Sequence, residues 1–277
     1  MNQGIGLRIL VDNRAGDGFS TEHGFSLWIE TEGQNILFDT GQGSALGHNA
    51  CQMGIDLKKT DVVVLSHGHY DHSGGLAEVL ALAPSAQVYA HAGVTRERYS
   101  LGPGEPRQIG MPLESQIAIE ALSPDRLHWL KGPHFLSEHV GLTGPIPRST
   151  NFEDTGGPFF LDKEGAKPDP IEDDLAMWIR TPGGLVVCVG CAHAGLVNTL
   201  NHIMFLEPGQ PLRAVLGGFH LRAASEVRLD RTLVALKAFS PQLLVPCHCT
   251  GEKAVETLLH ELGKTCAFGQ VGAVFDW

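Results

Sequence analysis

The chain has 277 residues, 43% hydrophobic and 18% charged, with a formal net charge of −11 from 20 basic and 31 acidic side chains. This is the composition of an ordinary folded protein with length enough for a sizeable core. The acidic balance, with no Lys/Arg block to offset it, excludes non-specific nucleic-acid binding, and apolar runs such as LVVCVG at 185–190 are too short to span a bilayer.

The start, MNQGIGLRILVDN, has no basic stretch followed by an apolar one, so a cytoplasmic location is expected. GLRILVDN (6–13), GFSLWIET (24–31) and NILFDTG (35–41) read as strands, the last two joined by a tight turn at Glu32–Gly33–Gln34. DVVVLS (61–66) is uninterrupted and apolar, as a strand covered on both faces would be. GGLAEVLALAP (74–84) has helical spacing ended by Pro84, and AQVYAH (86–91) is another strand. The region 96–173 is Pro- and Gly-rich, with little periodicity, and reads as an insertion covering or flanking a site within a single domain, 1–277. Beyond it, LAMWIRT (175–181) and LVVCVGC (185–191) form a hairpin, and a helix covers 196–205. RAVLGG (213–218) is a strand. A helix over 225–239 starts from a Ser225 cap, QLLVPCHC (242–249) is a strand, and a helix over 250–263 closes on Gly263. FGQVGAVFDW is the last strand.

Residues 62–76, VVVLSHGHYDHSGGL, place His67, His69, Asp71 and His72 directly after an apolar strand. A histidine cluster gains nothing from being clustered unless it holds something, and imidazoles with a carboxylate suit a transition metal. His67 and His69, two apart, point the same way in an extended loop, while Asp71 and His72 lie past a bend and could face a second ion. Two ligands per ion are too few. His193 in VGCAHAG, His220 in GGFHL and His248 in PCHCTG sit at later strand ends, where open α/β folds place their sites.

HGHYDH resembles the H-x-H-x-D-H signature of the metallo-β-lactamase superfamily, with ILFDTG, GCAHAG and PCHCTG similar to its other motifs in order. Together with EHGFSLWIE, LTGPIPR and GGFHL, the chain looks like the branch named for 7,8-dihydropterin-6-ylmethyl-4-(β-D-ribofuranosyl)aminobenzene 5′-phosphate synthase. The resemblance implies a four-layer αβ/βα sandwich: an α/β fold of two mixed sheets with outer helices. It implies two divalent ions, zinc first, with iron, manganese or nickel as alternatives. One would sit on His67, His69 and His193, the other on Asp71, His72 and His248. Many relatives carry a bridging aspartate where this chain reads GGFHL; the alternatives are that His220 stands in for it, that His220 faces the substrate, or that the second ion is held loosely.

The reaction class expected is displacement by a hydroxide held on metal, at an ester or phosphate-bearing small molecule. Asp71 would orient or accept the proton, and His220 would be the acid for the leaving group. A transferase joining a dihydropterin methyl pyrophosphate to an aminobenzene ribofuranosyl phosphate is the alternative. Iron redox chemistry is further off, since diiron relatives use Glu where this chain has His69. Candidate substrate contacts are Arg148 in GPIPRST, whose planar fork suits phosphate, His23 in TEHGFS, and Asp174 of the Asp173–Asp174 pair. Asp39 is expected to support the metal loop. The expected partner is a small-molecule substrate, with neither nucleic acid nor membrane; homo-oligomerisation is left open. Cys188, Cys191, Cys247 and Cys249 offer a rival four-thiolate zinc site. Strand alternation in PCHCT instead turns Cys247 and Cys249 away from His248, as buried thiols.

Overall fold

The β-rich runs of the N-terminal half hydrogen-bond into one sheet in the computed structural model, which describes residues 4–277. Its seven strands run in the order Val274–Asp276, Gly6–Val11, Ser26–Thr31, Gln34–Phe38, Val62–Val64, Gln87–Ala90 and Leu127–Trp129. The pairs among the first four are antiparallel, those beyond them parallel. The expected hairpin forms because Glu32 (φ 51°) and Gly33 (φ 75°) both adopt the left-handed geometry that a two-residue turn between twisted strands requires. A six-stranded sheet follows from the second half, in the order Leu243–Cys247, Leu212–Gly218, Gly184–Val189, Ala176–Thr181, Val140–Leu142 and His134–Phe135.

Side-chain alternation divides the core into three layers of packing. Leu27, Ile29, Val62 and Val64 meet Met177, Ile179, Val186 and Leu216 between the sheets. Val63 points the other way, onto Leu76, Val79 and Leu80 of the Leu76–Leu82 helix. On the far side, Val187 and Val215 pack under Leu200, Leu233 and Leu258 of the three helices Leu196–Leu206, Glu226–Phe239 and Glu252–Leu262. Each such buried aliphatic side chain contributes about 1.5–3 kcal/mol. The result is the four-layer α/β sandwich with two mixed sheets. Ser225 caps its helix by accepting the Arg228 amide at 3.2 Å, as its position predicts.

The helix expected over 74–84 forms as Leu76–Leu82, with a separate turn of helix, Tyr70–Ser73, before it. One local reading changes. The region 96–173 does not stand apart. Leu127–Trp129 extends the first sheet, and His134–Phe135 and Val140–Leu142 extend the second. These strands are two or three residues long, too short to carry a period. A small third sheet, Phe159–Phe160 with Tyr99–Ser100 and Arg107–Gln108, lies over the histidines, with the Phe159 ring 5.2 Å from that of His69. No helix among the described residues is long and apolar enough to cross a membrane.

Candidate metal centre

The loops that leave the strands ending at Phe38, Val64, Val189, Gly218 and Cys247 meet at one rim and bring the histidines together. Gly68 lets the first of them fold tightly, because a Cβ there would lie 2.1 Å from the Val94 carbonyl oxygen. His67, His69 and His193 present ring nitrogens within 4.8 Å of one another. His67 Nε2 and His69 Nδ1 face each other at 3.0 Å. Across from them, the Nε2 atoms of His72 and His248 are 3.3 Å apart, and Asp71 Oδ2 lies 3.3 Å from His248 Nε2 and 4.0 Å from His72 Nε2.

Four of the five rings are oriented from behind. His72 donates through Nδ1 to Asp39 Oδ2 at 2.7 Å, His193 to the Thr155 carbonyl at 2.8 Å, and His248 to Asn13 Oδ1 at 2.8 Å. His67 Nδ1 lies 2.9 Å from Ser66 Oγ, which donates to Asp39 at 2.6 Å. Outer hydrogen bonds of this kind fix the tautomer and aim the opposite lone pair inward. Asp39 thus occupies the supporting place expected for it. Burial and the neighbouring imidazoles push His67 and His193 well below the ordinary imidazole range, and burial with Arg98 takes His69 to about 3. Those three rings are therefore neutral, with lone pairs free, whereas for His72 burial is outweighed by Asp39 and Asp71, which raise it to about 9. Burial raises the Asp71 carboxyl, but His72, His23 and His248 outweigh it and hold Asp71 well below its usual range, as the anion.

These groups fit a metal. His193 Nε2 is buried with no hydrogen-bond partner, and buried polar atoms rarely go unpaired without reason. Neutral imidazoles with one carboxylate are a donor set for zinc, iron or nickel. Facing them is a cleft of about 190 Å³, with His23, His220, Arg107 and Arg222 on its walls. His23 Nε2 sits 3.2 Å from Asp71 Oδ2. His220, held at φ 47°, places its ring 4.3 Å from that of His193 with Nδ1 unpartnered.

Three expectations are corrected. Arg148 does not line the cleft: its guanidinium bonds the carbonyls of His193 at 2.8 Å, Ile171 at 3.2 Å and Pro170, and so braces the His193 loop. Asp174 is not in the cleft; its Oδ2 accepts the Ala194 amide at 2.7 Å beneath that loop. Cys249 does not face away from His248. His248 takes φ 46° and opens a 3-10 turn, His248–Thr250, which breaks strand alternation and puts Cys249 on the cleft. The four thiols do not converge either, since Cys188 and Cys247 pack between the sheets.

Sequence reasoning missed the support beneath the loop. Asp173 Oδ2 accepts the Gly68 amide at 2.8 Å, between the two histidines, and is gripped by Arg98 through Nη1 at 2.9 Å and Nη2 at 2.5 Å. Nothing in TRERYS marks Arg98 as buried, and neither Arg107 nor Arg222 lies in a recognisable motif.

Fold and site together define a family. The Metallo-beta-lactamase superfamily profile matches residues 21–248, and the chain belongs to that superfamily. Within it, the chain is 32% identical to an uncharacterized protein of Methanocaldococcus jannaschii, over 97% of this chain and 98% of that one. It is 29% identical to the 7,8-dihydropterin-6-methyl-4-(beta-D-ribofuranosyl)-aminobenzene-5'-phosphate synthase of the same organism, over 93% of this chain and 91% of that one. The crystal structure of Tm1679, a metal-dependent hydrolase of the beta-lactamase superfamily, superposes with a TM-score of 0.81 at 28% identity, covering 98% of both chains.

Proposed function

We propose that this protein is a dinuclear metal-dependent hydrolase acting on a small anionic ester or phosphoester. One observation carries the reading: neutral imidazole lone pairs and the Asp71 carboxylate converge in a cleft whose walls bear Arg107 and Arg222. Two ions held by His67, His69 and His193 and by Asp71, His72 and His248 would supply Lewis acidity and a water ionising near neutral pH. The chain's own groups do the rest. Asp71, hydrogen-bonded to His23, is placed to orient a nucleophile and take its proton. His220, with Nδ1 unpartnered, is placed to protonate a leaving oxygen. Phe159, its ring 5.2 Å from His69 and 5.4 Å from His193, shields the cleft from bulk water. Arg107 and Arg222 take the role of anion recognition that Arg148 cannot fill.

A transferase forming a dihydropterin–aminobenzene bond is the second reading, supported by the full-length similarity to the archaeal synthase. Protein of measured metal content, offered phosphodiester, lactone, thioester and dihydropterin pyrophosphate substrates, separates the two. Hydrolysis of an anionic ester, with KM raised by Arg107→Ala or Arg222→Ala, supports the hydrolase. Condensation with the aminobenzene acceptor and no ester hydrolysis overturns it.

A further inference from the structure

The superfamily fold brings histidines from five loops together, but this chain places no second carboxylate among them. His220 occupies the GGFHL turn, and Asp39 stands behind His72 rather than in the cleft. Imidazoles are neutral donors, so two dications here would face Asp71 as the one anion of the set derived above. A buried pair of like charges is eased by each further anion placed between them.

Cys191 is in that place. Its Sγ is 3.1 Å from His72 Nε2 and within 4.8 Å of a ring nitrogen of His67. The same sulfur lies within 4.8 Å of ring nitrogens of His193 and His220, and likewise of His248. It is therefore shared by both halves of the cluster. Cys191 is buried, and beside it His193 Nε2 has no hydrogen-bond partner. Cys191 and His193, two apart, face the centre together, and Ala192 between them carries φ 50°. Cys188, three residues earlier, still obeys strand alternation and packs in the core.

We propose that Cys191 is a thiolate ligand of the metal centre, lying between the two ion positions and supplying the anion that a bridging carboxylate supplies elsewhere. A coordinating thiol gives up its proton to solvent on binding, so the centre gains one negative charge and releases one proton. Soft sulfur also biases the site towards zinc, iron or copper(I) and away from magnesium and manganese. The inference rests on the dinuclear reading above, and the test separates their failures.

Metal-free protein is loaded with cobalt(II), and its near-ultraviolet spectrum and metal content are measured. The expected result is a sulfur-to-cobalt charge-transfer band in the parent, in Cys249→Ser and in Cys188→Ser, and its loss in Cys191→Ser. Cobalt per chain should fall by about one ion in Cys191→Ser. Cys191→Asp should restore the second ion without restoring the band, and it remains informative if the serine variant does not fold. No band in the metal-loaded parent, a band surviving in Cys191→Ser or Cys191→Asp, or one lost only in Cys249→Ser overturns the proposal. A parent that binds no metal overturns the metalloenzyme reading with it.

Discussion

Replacing Arg98 by methionine removes the cation that grips Asp173 through two hydrogen bonds; Asp173 is the carboxylate that holds the Gly68 amide between His67 and His69. The Arg98, Asp173 and Asp169 side chains are fully buried. Arg98 Nε lies 3.0 Å from Asp169 Oδ2, near enough for charge attraction though not aligned as a hydrogen bond. The variant therefore strands two buried carboxylates, and breaking a buried pair from one side costs about 3–5 kcal/mol. That is a large part of a total stability of about 5–15 kcal/mol. The pH dependence has a definite sign. Burial pushes Asp173 up, but Arg98 outweighs it and holds the carboxyl below its ordinary value of 3.8. Its contribution is fully present above that ordinary value and is lost as pH falls through the lower folded one. In Arg98→Met this restraint is gone, so the destabilisation should be largest near neutrality and shrink in acid, where the stranded carboxylates take up protons. Urea unfolding of metal-free protein, followed by the fluorescence of buried Trp28 and Trp178, measures it at about pH 5 and about pH 8. Metal content of the same samples reports on the loop. Stability within about 1 kcal/mol of the parent near neutral pH, with full metal content, would refute the reasoning.

His67→Ala or His193→Ala should lower metal content and abolish turnover; full metal and full activity in both variants would sink the site. Asp174→Asn should stabilise the metal-free protein as pH rises. Burial lifts this carboxyl from 3.8 to about 7, so the folded state holds a proton that the unfolded state has lost, and parent stability falls across that window. Above it, the variant should gain on the order of a few kcal/mol in urea unfolding, and a pH-independent difference would contradict this. Gly156→Ala puts a Cβ 1.8 Å from His220 Cδ2, at a φ of 86°, and should displace that ring. Its kcat should fall on the order of 10²-fold with one histidine-held ion still bound, and an unchanged kcat would remove His220 from the reaction.

The strands were legible because their apolar runs are long and their burial two-sided: Val62, Val63 and Val64 divide between two cores as a period of two demands. The histidines were legible because they follow such strands in a dense motif. The anion-binding arginine was not. Arg148 sits in a Pro-pinned loop as a ligand-binding fork might, but the carbonyls of Pro170, Ile171 and His193 come from distant sequence and hold it away from the cleft. Asp174 misled for a similar reason. Its neighbour Asp173 and it point to different loops, one to Gly68 and one to Ala194, and only the fold assigns which.

Periodicity failed for the cysteines where the backbone leaves extended geometry. Asp39, Ala192, His220 and His248 all carry positive φ, from 46° to 59°, on the loops that build the site. Each such residue costs of order 1–3 kcal/mol and persists only where its surroundings over-determine it. Here the surroundings are partly the hydrogen bonds to Ser66, Asn13 and Thr155, and partly whatever satisfies His69 and His193. The strain has a geometric use. A straight strand end presents every second side chain, so it could aim His248 or Cys249 inward but not both. A left-handed residue resets the alternation and lets neighbouring residues face one point. The chain thereby gathers more ligand atoms at the rim than its strand ends alone would supply, and Cys249 reaches the cleft beside His248 by this route.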